Sequence, residues 1–537
     1  MIMKRVVSKV LSSRMFKRIT GNKEGTEKGV KAFQDIPGPL ALPLVGSTWK
    51  YILPLKDKYD PERLHEAARQ KYDNYGPLVR ETLPDGTGLL SVFDPDDIKS
   101  FLQQTMQQPD RRSHLALKKY RLDRPHMYSS GGLLPSNGAE WQKLRKASQV
   151  IFGKPDAVLG HLPDVDMIMR EFVQLLRELR SPQNYVSDLL DLIKMMNLEV
   201  MLAVLLDQRY GCVSTHPSPQ CEALMRAGSR STQAILNTDN GPLQLYRYFD
   251  TPLYRQLIES QDLIYSEAKK QYERMQKTIS SKSDDMSNTE NECRNEGGSK
   301  QSSISTESDK GGTVKKKTSI LEHLCRSPQL GEKDVIGLLC DSLMAGVDTT
   351  SYSLAFALYH LSSNKTAQQQ LAEEAARLLQ QTHGQVTGNV LSKARYTVAV
   401  VKESLRLNPI SIGIGRVNTH KPIVLRGYHI PAGTTIVSMN QHIGRNPDYF
   451  SNCNEFRPER FMSDTRPHSH ALLPFGQGSR MCIAQNIAKQ TIYTALLHMV
   501  YNFDMTWTGG PLDCKVRLIN EPDGPLLLTL GDRTRNN

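Results

Sequence analysis

The chain has 537 residues but only eight cysteines, Cys212, Cys221, Cys293, Cys325, Cys340, Cys453, Cys482 and Cys514. None forms a C-x-x-C pair and none has histidine at zinc-ligand spacing, which argues against both a disulfide framework and a zinc module and predicts a reducing compartment. No apolar run approaches the ~20 residues that span a bilayer, so neither a membrane anchor nor a secretory signal is read. Gly413-Ile414-Gly415 lacks the third glycine and following helix of a dinucleotide fingerprint, so any electrons must come from another protein. No internal repeat is present, and the two histidines of His468-Ser469-His470 read as solvated. The net charge of +12 lacks the clustered basic patches that a nucleic-acid surface requires, and no nucleic-acid partner is expected.

The basic excess is instead concentrated at the start. Lys4, Arg5, Lys9, Arg14, Lys17, Arg18 and Lys23 stand in the first 23 residues without a single acid. On a helical wheel Ile2, Met3, Val6, Val7 and Val10 oppose Lys4, Arg5 and Lys9, the amphipathic pattern of a mitochondrial presequence. Residues 1–35 are therefore read as presequence and linker, and Ile36-Pro37-Gly38-Pro39 as the rigid entry to a single domain over 36–537. Pro77–Leu83 and Gly88–Phe93, separated by Pro84-Asp85-Gly86, predict a β-hairpin. Helical periodicity dominates 163–205, 250–277, 332–363, 366–382 and 392–407, and strand-like pieces return near the C-terminus. Residues 278–318 hold hardly an apolar side chain and predict a disordered surface insertion.

One stretch carries most of the chemistry, Phe475-Gly476-Gln477-Gly478-Ser479-Arg480-Met481-Cys482. A thiolate that donates strongly to haem iron must be shielded from protonation and oxidation, and a tight glycine loop does this by turning amide N–H groups toward sulfur. Helical spacing after Cys482 places the sulfur near a helix N-terminus, which also favours negative charge. Cys482 is thus the candidate iron ligand, with Arg480 reaching a haem propionate. A second constellation, Ala345-Gly346-Val347-Asp348-Thr349-Thr350, interrupts a long apolar helix with groups that are costly to bury without partners. Splitting dioxygen consumes protons, so Thr349 as the hydroxyl and Asp348 as the relaying acid are the needed residue types. Gly346 predicts a local widening of the helix there.

The pattern of Phe475, Gly478, Arg480 and Cys482 resembles the haem-binding loop of the cytochrome P-450 family. Pro37-Gly38-Pro39, Tyr75-Gly76-Pro77-Leu78, Phe93-Asp94-Pro95 and Gly131-Gly132-Leu133-Leu134 extend the resemblance from Ile36 to the C-terminus, toward the family's mitochondrial branch. It implies a mainly α fold, a large helical domain with a small β-rich subdomain, and haem b buried between the helix bearing Thr349 and the Cys482 loop. It further implies that Ala345, Gly346, Asp348 and Thr349 form the oxygen-activating segment. Phe475 and Gly478 would shape the haem loop, and Trp141, Arg145, Arg416 and Arg480 would meet the propionates, with Asn137 and Glu140 capping the Trp141 helix. Glu403, Arg406 and Arg460 would form a buried structural triad. The implied function is a monooxygenase acting on a lipophilic, sterol- or steroid-like molecule, fed by a [2Fe–2S] ferredoxin and its NADPH-dependent reductase, on the matrix side of the inner membrane. A broad xenobiotic oxidase and a non-catalytic haem sensor or carrier are the alternatives. Gln485, Asn486 and Val398 stand where basic residues are usual in that branch, leaving Lys393, Arg395, Lys402 and Lys489 to meet an acidic ferredoxin, and Ala484 replaces a common glycine.

Overall fold

The computed structural model describes residues 29–239, 244–295, 319–463 and 467–534, with helix but no side-chain detail over 283–295. The proposed presequence, most of the linker and the second half of the expected insertion lie outside the described residues. Among the described residues, no helix is long and apolar enough to cross a membrane.

Among the described residues, ten helices of twelve residues or more build the body. They are α1 (Leu64–Tyr75), α2 (Gly138–Phe152), α3 (Leu162–Leu179), α4 (Leu189–Leu206), α5 (Pro219–Asp239), α6 (Pro252–Asn295), α7 (Glu332–Ser363), α8 (Lys365–Gln380), α9 (Arg395–Leu407) and α10 (Gln485–Asn502). The segment read as continuous over 163–205 is two helices, because Ser181-Pro182 interrupts the ladder between α3 and α4. Helix α6 continues to Asn295, past residue 278 where polarity alone predicts loss of structure. Hydropathy reports what a segment buries and does not by itself decide whether its backbone is helical.

Helix α7 is the axis of the molecule. Its N-terminus is held by Asp334, which accepts hydrogen bonds from Gly331 N–H (3.0 Å) and Lys143 Nζ (2.6 Å). It ends at Asn364, whose side chain caps α8 by accepting from Ala367 N–H. Helices α4, α5, α6, α9 and α10 all pack on it. Helix α4 is apolar on nearly every side, and from Met195 to Leu206 it is wholly buried, as befits an element enclosed by neighbours.

The β structure is small. Strands β1 (Leu78–Thr82) and β2 (Gly88–Val92) form the expected hairpin, with Thr82 opposite Gly88. Strand β3 (Gly415–Val417) is followed by the pair β4 (Ile423–Leu425) and β5 (Tyr428–Ile430), then by β6 (Thr435–Ser438). Strand β6 joins β2 in parallel and β3 antiparallel, giving a sheet ordered β1-β2-β6-β3. Two antiparallel pairs close the chain, β7 (Phe503–Trp507) with β10 (Leu528–Asp532), and β8 (Cys514–Arg517) with β9 (Ile519–Pro522). A second apolar core under the four-stranded sheet, separate from the helical one, defines the β-rich subdomain.

Candidate active site

The glycine loop adopts the geometry that its composition predicts. Gly476 and Gly478 have φ of +72° and +76°, a region where a side chain is strained. The chain then folds back so that Cys482 N–H donates to Phe475 C=O at 2.8 Å. Ala484 is the N-cap of α10, so Cys482 stands at the mouth of that helix. Burial pushes the Cys482 thiol up, while the Ala484 N–H and the charges of Arg145 and Lys489 pull the other way. Its side chain is nonetheless exposed, opening into space rather than packing into the core.

On α7, Ser342, Ala345, Gly346 and Thr349 are only half-buried although the helix around them is almost wholly enclosed. Positions 342, 345 and 349 share a face, so this stripe borders a void. The widening expected at Gly346 is not there. The helix is regular α throughout, and the Thr349 hydroxyl donates to Ala345 C=O at 2.7 Å, which keeps the ladder intact. Gly346 instead leaves room for the flexible end of Met201 on α4, whose Cε a Cβ there would approach to 2.4 Å. Asp348 points elsewhere, accepting from Ser229 Oγ on α5 at 2.9 Å with Lys194 Nζ of α4 at 3.8 Å. Burial raises its pKa, opposed by Lys194. Asp348 lines a cavity of about 450 Å³ shared with Asp188, Asp191, Lys194, Arg517 and Glu521. Pro522, Asp523 and Gly524 also line this cavity.

Four arginines converge near the loop. Arg145 on α2 donates to Met481 C=O at 2.8 Å, and Arg416 on β3 donates to Gln477 C=O at 3.4 Å. Arg480 donates to Pro109 C=O and Ser136 C=O, and its guanidinium lies 4.1 Å over the ring of the buried Trp141. Arg111, not singled out from the sequence, completes the set by donating to Leu134 C=O at 3.0 Å. Desolvation, then Arg111 and Arg416, bring Arg480 down to about 9; desolvation brings Arg416 and Arg111 each to about 10. The Nη1 of Arg480 is buried and has no hydrogen-bond partner. Mutually repelling buried cations with an orphaned donor fit a dianionic group, and haem propionates have that chemistry. The expected cap of α2 is not formed: Asn137 Oδ1 instead accepts from Arg480 Nη2 and Arg111 N–H, and Glu140 from Gly131 N–H.

Glu403 and Arg406 of α9 are fully buried and doubly hydrogen-bonded at 2.7 and 2.8 Å. Arg460 Nε reaches Glu403 at 2.9 Å, and Arg406 extends to the carbonyls of Gly444, Cys453 and Glu455. A further cluster escaped sequence spacing because its members are some 450 positions apart. His65 Nε2 lies 3.3 Å from Asp513, and its Nδ1 lies 3.6 Å from Cys514 Sγ. Cys514 is wholly buried, with Gln441 Nε2 at 3.2 Å, and so faces protein rather than a void. His468 pairs with Asp96 at 3.2 Å.

An exposed thiol at a helix mouth, a cationic cradle and a hydroxyl-bearing stripe on the central helix define a haem-thiolate site within a mainly helical fold. The family model for cytochrome P450 matches residues 36–525, and the chain belongs to that family. Its cofactor is haem b and it is a monooxygenase. It is 34% identical to cytochrome P450 302a1, mitochondrial, of Drosophila melanogaster, over 93% of this chain and 95% of that protein. It is 28% identical to the mitochondrial 25-hydroxyvitamin D-1 alpha hydroxylase of Rattus norvegicus (97% and 99%) and 24% identical to the ecdysone 20-monooxygenase of Drosophila melanogaster (95% and 91%).

Proposed function

We propose that this chain hydroxylates a steroid or secosteroid in mitochondria, and that Cys482 would hold the iron of its haem. The observation that carries the ligand assignment is the Cys482 thiol itself, open to space with the charges of Arg145 and Lys489 acting on it, whereas the Cys514 thiol is enclosed by Gln441 and His65. Haem supplies reductive cleavage of dioxygen; the chain supplies the rest. The Ala484 N–H and the cations of Arg145 and Lys489 favour a sulfur anion against the opposing effect of burial, and Arg111, Arg145, Arg416 and Arg480 would hold the haem propionates. Thr349 holds a hydroxyl on the open face of α7. Asp348, Ser229 and Lys194 deliver protons from the charged cavity. Glu403, Arg406 and Arg460 brace the segment leading to the thiolate loop.

The substrate class rests on the relatives, whose names specify ecdysone and 25-hydroxyvitamin D. A mitochondrial address is supported by those named mitochondrial and by the acid-free leader. Lys393, Arg395 and Lys402 are exposed beside α9 and, with Lys489, suit an acidic [2Fe–2S] ferredoxin fed by an NADPH-dependent reductase. Exposed Leu44, Ile52, Tyr248 and Phe249 suit peripheral contact with the inner membrane.

The test is the carbon monoxide difference spectrum of the reduced holoprotein. Wild type and Cys514→Ser are expected to show the red-shifted thiolate Soret band and Cys482→Ser to lose it. A Cys482→Ser protein that keeps the band would overturn the ligand. Reconstitution with ferredoxin and reductase across steroid, secosteroid and xenobiotic panels then tests the substrate class; turnover confined to xenobiotics would reject it.

A further inference from the structure

Outside the haem site, Cys212 and Cys221 bring two reactive side chains together. Their sulfurs are 2.7 Å apart, inside the roughly 3.5–4.0 Å at which unbonded carbon atoms rest. Both residues are buried. Each is held by separate structure. Cys212 lies in the segment leaving α4, where the buried carboxylate of Glu199 accepts from Tyr210, Gly211 and Cys212 N–H and from Arg209 Nε at 2.6 Å. Cys221 is in the first turn of α5, just after Ser218, whose hydroxyl accepts from Cys221 N–H and lies 3.3 Å from the sulfur. Tyr210 and Gln220 hydrogen-bond to Glu267 on α6 and pin both sides of the pair to a third helix.

We propose that Cys212 and Cys221 are a reversible disulfide-forming pair that locks the start of α5 onto the end of α4. The oxidant class is a peroxide. The Cys221 thiolate attacks one peroxide oxygen, the O–O bond breaks, and the departing hydroxide takes a proton to leave as water. The Cys212 sulfur, on losing its proton, displaces hydroxide from the resulting sulfenic acid, and the S–S bond forms with a second water. Two thiols lose two electrons and two protons, and one hydrogen peroxide becomes two waters.

Cys221 is suited to attack. Hydrogen bonding by the Cys212 thiol, with further help from Ser218, brings it down to about 7 against the opposing effect of burial. It also sits at a helix N-terminus, where thiolates are favoured. Cys212 is pushed upward by the same contact and by burial, which suits it to the resolving role. The lock has a reach beyond its own loop, because Ser229, just over two turns further along α5, is the residue that hydrogen-bonds Asp348.

The experiment uses the wild-type holoenzyme, equilibrated with hydrogen peroxide or with glutathione buffers of graded ratio, then denatured, alkylated and mapped by mass spectrometry. The expected result is a dithiothreitol-reversible peptide linking Cys212 to Cys221, while Cys340, Cys453 and Cys514 remain alkylatable. Oxidation should also raise the thermal midpoint of wild type and leave that of Cys221→Ser unmoved. Full alkylation of both thiols under conditions that oxidise the buried Cys340 or Cys514 would overturn the proposal. The mapping is done on wild type, so its outcome does not depend on whether a variant folds.

Discussion

At the scale of single residues, function depends on groups whose partners are incomplete within the protein. Arg480 leaves one buried nitrogen without a hydrogen bond while three other guanidinium groups crowd it and Asp110 opposes them, an arrangement that an anion from outside the chain would complete. Arg480→Ala is expected to weaken haem retention by about 10–100-fold, the equivalent of one charge-assisted hydrogen bond of roughly 1.5–3 kcal/mol. Transfer of haem to an apo-globin acceptor measures this. His65 makes the opposite case, a titratable group whose partners are complete. Burial opposes its charge, but Asp513 and Cys514 together raise its pKa to about 9 from 6.5. A raised folded-state value means that its stabilisation is full below pH 6.5 and fades as pH rises through 9. The stability difference between wild type and His65→Gln should therefore shrink across that window, from about 1–3 kcal/mol toward zero, in denaturant titrations at several pH values.

Which of these residues could be read in advance follows from their chemistry. Cys482, Gly476 and Gly478 were legible because a strained loop tolerates few residue types, and Arg480 shares their short motif. Arg111 was not, since one arginine among many acquires meaning only when folding sets it against three others. The His65, Asp513 and Cys514 cluster, and the contact between Cys212 and Cys221, likewise depend on how α1 meets β8 and how the chain turns between α4 and α5.

Among the elements, α7 combines two demands on one helix, a seam of close packing and a face left open. Gly346 predicts a local widening, but the helix stays regular, the Thr349 hydroxyl donates to Ala345 C=O and Gly346 stands against Met201. Periodicity locates such a helix well, because its length and apolar content are local properties. It does not tell a hinge glycine from a contact glycine. Gly346→Val should destabilise the holoprotein by about 1–3 kcal/mol through overpacking, and Met201→Ala in the same chain should recover most of the loss. Thermal unfolding of the double-mutant cycle checks this; equal, additive losses would mean that Met201 is not the obstacle.

For the molecule as a whole, the helical body and the β-rich subdomain are tied together by charges that cannot be separated cheaply. Arg406 bonds Glu403 on its own helix and three carbonyls of the segment between Gly444 and Glu455, and Arg460 returns to the same carboxylate. Removing Glu403 would strand two buried cations, a loss on the order of 3–5 kcal/mol. Glu403→Ala is accordingly expected to yield apoprotein or aggregate, read as the ratio of Soret to protein absorbance after expression with added haem. A normally loaded variant with slow turnover would contradict a bracing role.

The placement of Asp348 separates two kinds of traffic. Its cavity carries carboxylates, lysines and an arginine beside Leu189, Leu190, Leu526 and Leu527, so charge reaches Asp348 from a wall that is only partly polar. On the proposed relay role, a bulky side chain at Ser229, which faces this cavity, is expected to slow turnover while ligand binding is kept.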